Sequence, residues 1–188
     1  MVDVSDNFNR ADGALGSNWG QSISLDPMTI SGNKAVNVTG NISANFWSSN
    51  TFANDQHAQC SCELTVGIAG LVLRHGVASN CYLGWQDLNG NVTIYRVDAG
   101  TPANIAFAVG TVPSLGDILT FDVVGSLFTF RNVTKGNVTT ATDATYASGQ
   151  PGITTFSAGA ALDNWSAGPL VVPGGGWHRT GIGLSLGF

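Results

Sequence analysis

Charge is scarce in this sequence. Of its 188 residues only 10% are Asp, Glu, Lys or Arg, against about a quarter in an ordinary soluble domain, so surface polarity has to come from Asn, Ser, Thr and Gly. Glutamate occurs once, at Glu63, and lysine twice, at Lys34 and Lys135. Both are strong helix formers, and their shortage argues against a helical protein. The seven basic residues are scattered in a chain of net charge -5, which argues against nucleic acid as a partner, because that affinity rests on Lys and Arg displacing counterions. No apolar run reaches the roughly 18 residues of a membrane helix, so membrane insertion is not expected. The segment from Met1 lacks the basic and apolar regions of a signal peptide, which leads to an expectation of synthesis in a cytoplasm without export.

Cysteine is also rare. There are three, and Cys60 and Cys62 are separated by one residue, too close for an unstrained bridge within one strand. A disulfide scaffold is therefore not expected, and alternate cysteines on an apolar strand read as small core residues rather than as zinc ligands with Cys81, His57 and His75.

What the chain has is 43% hydrophobic residues and 25 Gly, enough apolar surface to offset chain entropy. That combination points to an all-β domain with many turns. Alternation is clearest from Gln59 to Ile68, where Cys60, Cys62, Leu64, Val66 and Ile68 share one face. Cys81 to Gln86 and Val92 to Val97 read as a hairpin across Asp87-Leu88-Asn89-Gly90-Asn91, and Leu119 to Val124 and Leu127 to Asn132 as another across Gly125-Ser126. Further strands are expected at Thr29 to Val38 with a turn at Gly32-Asn33, Ala44 to Phe52, Gly70 to His75, Ile105 to Val109, Ile153 to Phe156 and Ala160 to Trp165. Short, evenly spaced strands without intervening helices predict an antiparallel two-sheet β-sandwich of jelly-roll type. Residues 1–168 form that domain in this reading. Residues 169–188, with Gly174-Gly175-Gly176 as a hinge, form an extended apolar C-terminal arm.

Candidate chemistry is sparse. No Gly-x-Ser-x-Gly elbow or phosphate loop occurs, and Asp87, Asp98, Asp117, Asp122 and Asp143 mostly sit in turn contexts where Asp caps the backbone. Sugar binding combines aromatic platforms with Asn, Asp or Gln that reach hydroxyls. Trp47, in Asn45-Phe46-Trp47-Ser48-Ser49-Asn50, and Tyr82 and Tyr95, opposite Leu83/Trp85 and Ile94 in their strands, are the candidates for a glycan surface. Against this stands the plainer reading that Trp47 and Trp85 are core aromatics.

The opening segment, Asp6-Asn7-Phe8-Asn9-Arg10-Ala11-Asp12-Gly13-Ala14-Leu15-Gly16-Ser17-Asn18-Trp19, resembles the first strand and loop of the concanavalin A-like, laminin-G-like jelly-roll superfamily, in the form found in phage virion and bacterial surface proteins. Gly149-Gln150-Pro151-Gly152-Ile153 and Ala161-Leu162-Asp163-Asn164-Trp165 resemble its penultimate turn and closing strand. The resemblance implies that Asp6 to Trp19 lies beside Ala158 to Trp165, and that a structural calcium could sit near Asp6 and Asp163. Hydrolytic relatives use paired carboxylates on one strand, whereas Glu63 has Ser61 and Thr65 as same-face neighbours, so no enzyme activity and no other cofactor are expected.

Together these features lead to the expectation of a non-enzymatic virion structural or display protein, a capsid decoration, head fibre or tail appendage on a bacteriophage surface. Its arm would supply assembly contacts through Trp177, Ile182, Leu184, Leu186 and Phe188, to other virion proteins or to copies of itself in a homo-oligomer. Cell-surface glycans are additional partners in that view. The alternative is a carbohydrate-binding module or adhesin with no part in a particle.

Overall fold

The computed structural model describes residues 3–170. Sixteen strands alternate along the chain among the described residues. β1 is Val4–Asp6, β2 Gly13–Ala14, β3 Trp19–Gln21, β4 Met28–Ser31, β5 Lys34–Asn37, β6 Ile42–Trp47, β7 Gln56–Cys62 and β8 Ile68–His75. β9 is Cys81–Asp87, β10 Val92–Asp98, β11 Thr101–Ala108, β12 Asp117–Val124, β13 Leu127–Asn132, β14 Asn137–Thr142, β15 Gln150–Phe156 and β16 Ala161–Pro169. One sheet runs β14-β13-β12-β7-β16-β5-β4-β2 with β1 added beside β16, and the other runs β11-β10-β9-β8-β15-β6-β3. Every strand pairing is antiparallel.

The hairpins arise where the sequence supplies turn residues. Gly32 and Asn33 both have positive φ, 58° and 63°, the backbone that matches the twist of flanking strands and that Gly and Asn adopt most readily. The expected strand from Gln59 to Ile68 is two strands: β7 leaves the sheet after Cys62, where Lys34 Nζ holds Glu63 Oε2 at 2.6 Å, and β8 begins at Ile68 in the opposite sheet. β14 escapes a hydrophobicity scan because Asn137, Thr139 and Ala141 form its buried face.

The inner faces of the sheets meet in one core. Trp19, Trp47 and Trp165 form its aromatic centre, with ring centroids 5.3, 4.7 and 5.4 Å apart pairwise, and Phe121, Phe128 and Phe130 pack beside Tyr82. β1 lies against β16, with Asp6 opposite Trp165, so the implied pairing holds for the start of the opening segment alone: Gly13–Ala14 pairs with β4, and Trp19–Gln21 pairs with β6 in the other sheet and meets Trp165 across the core. At one end of the sandwich Arg74 is 2% exposed. Its guanidinium donates to the carbonyls of Asn54, Tyr146 and Gly125 at 2.7 to 3.1 Å and lies 5.3 Å over the Phe128 ring. A buried cation is tolerated there because carbonyl oxygens replace its water.

A second, smaller apolar cluster sits on the outer face of the seven-stranded sheet. Leu25, carried by the segment Ser22 to Asp26 after β3, clusters there with Ala44, Val72, Cys81, Leu83, Trp85 and Val97, and Ile42, Ile68 and Tyr95 pack against them. That strap is tied down where Ser22 Oγ meets Ser79 Oγ at 2.8 Å and Ser24 N–H donates to Ser79 Oγ at 2.9 Å. His75 closes its edge, with Nε2 3.1 Å from Ser22 Oγ and its ring stacked on Phe46 at 4.2 Å.

Candidate functional site

The strap covers only part of that outer face. Beyond it the strand register aligns side chains in rows: Phe107 of β11, Thr93 of β10 and Trp85 of β9 lie opposite one another, followed by Gly70 of β8 and Thr154 of β15. The next row toward the strap holds Asn104, Tyr95 and Leu83. A cavity of about 180 Å³ opens over these strands, lined by Ile68, Trp85, Asp87, Asn91, Thr93, Tyr95, Asn104 and Phe107.

Each part has a physical reason to be where it is. A Cβ on Gly70 would lie 1.9 Å from the Gly84 carbonyl oxygen and 2.8 Å from the Trp85 ring, so only glycine lets the indole lie across β8. The indole N–H then donates to Thr154 Oγ1 at 3.4 Å. Tyr95 packs on Trp85 with centroids 4.7 Å apart at 52°. Trp85 is 7% exposed whereas Phe107 is 55% exposed, which makes Trp85 the floor and Phe107 with Tyr95 the accessible rings. Asp87 is fixed by its own hairpin: Oδ1 accepts the N–H groups of Asn89 and Asn91, both at 2.9 Å, and Oδ2 accepts Asn91 Nδ2–H at 2.8 Å. Apolar rings beside rigid hydroxyl, amide and carboxylate groups suit a ligand with an apolar face and a polar edge.

Of the three residues expected at a glycan surface, the structure places one here. Tyr95 lines the groove. Trp47 is 6% exposed on the inner face, its indole N–H donating to Asn50 Oδ1 at 2.8 Å. Tyr82 is fully buried against Phe128, its O–H donating to Asp143 Oδ1 at 2.7 Å. The alternation within β9 and β10 is as expected, but Leu83 and Trp85 point outward, under and beside the strap, which turns Tyr82 inward. The plainer reading matches the burial of both Trp47 and Trp85, and Trp85, on the outer face, is also the floor of the groove. Phe107 was missed because Ile105 to Val109 reads as a generic apolar strand; its signal was an aromatic in an edge strand beside Asn104.

Asp6 and Asp163 do not fit a calcium ion. Arg10 Nη1–H donates to Asp6 Oδ1 at 2.7 Å and Nη2–H to Oδ2 at 2.9 Å, joined by Phe8 N–H and Trp19 Nε1–H at 2.8 Å each. A guanidinium already stands where a cation would, whereas calcium needs six to eight oxygens. Burial opposes the Asp6 charge, but these donors outweigh it and hold its pKa below the ordinary carboxylate value, while burial raises that of Asp163. Among the described residues no three His, Cys, Asp or Glu side chains are grouped to hold a metal. A larger hollow of about 420 Å³ beside Asp6 is lined by Ser5, Asn7, Asn164, Trp165 and Ser166, and its one aromatic, Trp165, is 1% exposed. Burial pushes the Cys62 thiol up to about 11 and raises Cys60 and Cys81 as well, so none is a nucleophile at neutral pH. Trp177, Ile182, Leu184, Leu186 and Phe188, expected as assembly contacts, lie outside the described residues.

No protein-family model matches the chain, and no curated protein does. Solved structures do. A carbohydrate-binding module, CBM66, from Bacillus subtilis aligns with a TM-score of 0.64 at 18% identity, covering 82% of this chain and 98% of its own. A Bacillus subtilis protein of unknown function with a galectin-like fold aligns at 0.59 and 10% identity, covering 84% and 97%. A prokaryotic β-1,3-1,4-glucanase (lichenase) derived from a mouse hindgut metagenome aligns at 0.58 and 9% identity, covering 90% and 100%. The domain therefore has the concanavalin A-like jelly-roll sandwich, a fold shared by binding modules and glycosidases alike.

Proposed function

We propose that this domain is a non-catalytic carbohydrate-binding module whose site is the uncovered groove on the outer face of the seven-stranded sheet. The observation that carries the reading is the juxtaposition of Phe107, Tyr95 and Trp85 with Asp87, Asn91, Thr93 and Asn104 on a surface the chain's own strap leaves open. The likeness to a carbohydrate-binding module over nearly its full length supports it. The non-catalytic part rests on the carboxylates: hydrolysis of a glycosidic bond needs an acid and a nucleophile or base facing each other, and among the described residues Asp87 is the one carboxylate lining this groove. Glu63 is engaged by Lys34 at the ends of β7 and β5 in the other sheet. The cavity is smaller than the roughly 300–1,000 Å³ of drug-sized pockets. At about 30 Å³ per water it holds about six waters, or about one sugar ring, so binding is expected to be weak per site.

The test is a glycan panel probed with the wild type and with a Tyr95→Ala, Phe107→Ala double variant, alongside an assay for released reducing ends. Retention on at least one glycan, lost in the variant and without hydrolysis, is expected. Undiminished binding by the variant, or bond cleavage by the wild type, would contradict the proposal.

A further inference from the structure

The charge of the groove says more than its shape. Among the described residues Asp87 is the one acidic or basic side chain in the lining; the others are Ile68, three aromatic rings, Thr93, Asn91 and Asn104. The nearest basic side chain along these strands, Arg96, alternates to the inner side of β10, where it is bound by Asp98 and Asp143. Asp87 cannot turn away, because two backbone N–H groups and the Asn91 amide hold its oxygens at 2.8 to 2.9 Å. A carboxylate offers about four acceptor positions, so with three used Asp87 keeps one for a hydroxyl donor.

We infer that this groove takes uncharged sugar residues and turns away those carrying a carboxylate, with Asp87 as the selecting group. The inference rests on the glycan-binding reading above. An uncharged sugar hydroxyl donates to the fixed Asp87 oxygen and is met by neutral amides elsewhere. A uronate carboxylate seated in the same cavity faces a like charge a few ångströms away in a partly desolvated site with no cation among the described lining residues to offset it, which at an effective dielectric of about 20 weakens binding by about tenfold or more. The unpaired charge is the discriminating element, as in other sites that select by disfavouring the wrong ligand.

The experiment uses the whole chain on an array of neutral glycans and uronate polymers that includes galacturonan as free acid and as methyl ester. The expected result is binding confined to uncharged members, with acidic ones at least about tenfold weaker, and a gap that narrows in about 1 M NaCl, where the screening length is about 3 Å. In Asp87→Asn the ratio of acidic to neutral binding should rise whatever the absolute affinity. Wild-type binding to uronates as tight as to neutral glycans, or a gap indifferent to both salt and Asp87→Asn, overturns the selectivity and leaves glycan binding standing. Retention of no glycan at all overturns both.

Discussion

The outer face of the seven-stranded sheet is divided between two fates. On one half Leu25 and its strap bury Val72, Cys81, Leu83 and Val97; on the other Tyr95 and Phe107 meet solvent beside fixed polar groups, over Trp85, which is buried in the same cluster. Both halves draw on strands β8 to β10, with same-face residues two apart, and β11 adds Asn104 and Phe107 to the open one. What separates them is local. The covered half has Ser22, Ser24 and Ser79 joined across the strap, while the open half has an aspartate hairpin and an exposed edge strand. An apolar sheet face left open by the described residues, and furnished with rigid polar groups, is the property that marks a binding surface.

The division is breakable from either side. Substitution in the covered half should act on stability. Leu83→Ala removes a fully buried side chain and should cost about 2–5 kcal/mol, measured by chemical denaturation, with little change in glycan retention by the molecules that remain folded. The strap should also be acid-sensitive. Burial holds the His75 imidazole neutral down to about pH 4 in the folded protein, whereas the unfolded chain takes up that proton near pH 6.5. Stability is then intact above pH 6.5 and falls as pH drops from 6.5 toward 4, by about 2–3 kcal/mol at pH 4.5. Denaturation at pH 7 and 4.5 checks this, and His75→Gln should flatten that window.

In the open half the order is reversed. Phe107→Ala removes a ring that is 55% exposed and should change stability by no more than about 0.5 kcal/mol while weakening glycan binding about tenfold, read by titration calorimetry on whichever glycan the panel selects. The smallest effect is expected where the halves touch. Thr154→Val deletes the long 3.4 Å acceptor of the Trp85 indole and should cost about 1 kcal/mol of stability, with a loss of affinity smaller than that of Phe107→Ala.

Much of the fold was legible because hairpins announce themselves: Gly32-Asn33, the Asp87 to Asn91 loop and Gly125-Ser126 all turn where the residue types require, and alternation identified the strands between them. The boundary between β7 and β8 was not legible, since apolar residues continue through Leu64, Val66 and Ile68 while the chain changes sheets. The site was legible only in part. Alternation says which residues share a face, but not which face of a sheet meets the other sheet, and in β9 both faces are apolar. Tyr82 therefore lies in the inner core, and Trp85, buried on the outer face, floors the groove. Nothing in the sequence shows that Leu25, twenty-two residues before β6 ends, packs on that surface and leaves Phe107 exposed.

The most direct test of the account is whether a glycan perturbs the open half alone. Backbone amide shifts of the isotopically labelled chain, titrated with a neutral oligosaccharide retained in the panel, should move at Trp85, Asp87, Asn91, Thr93, Tyr95, Asn104 and Phe107 and stay fixed at Ser5, Asn7, Asn164 and Ser166. Shifts centred on the latter set, or on the outer face of the other sheet, would contradict it.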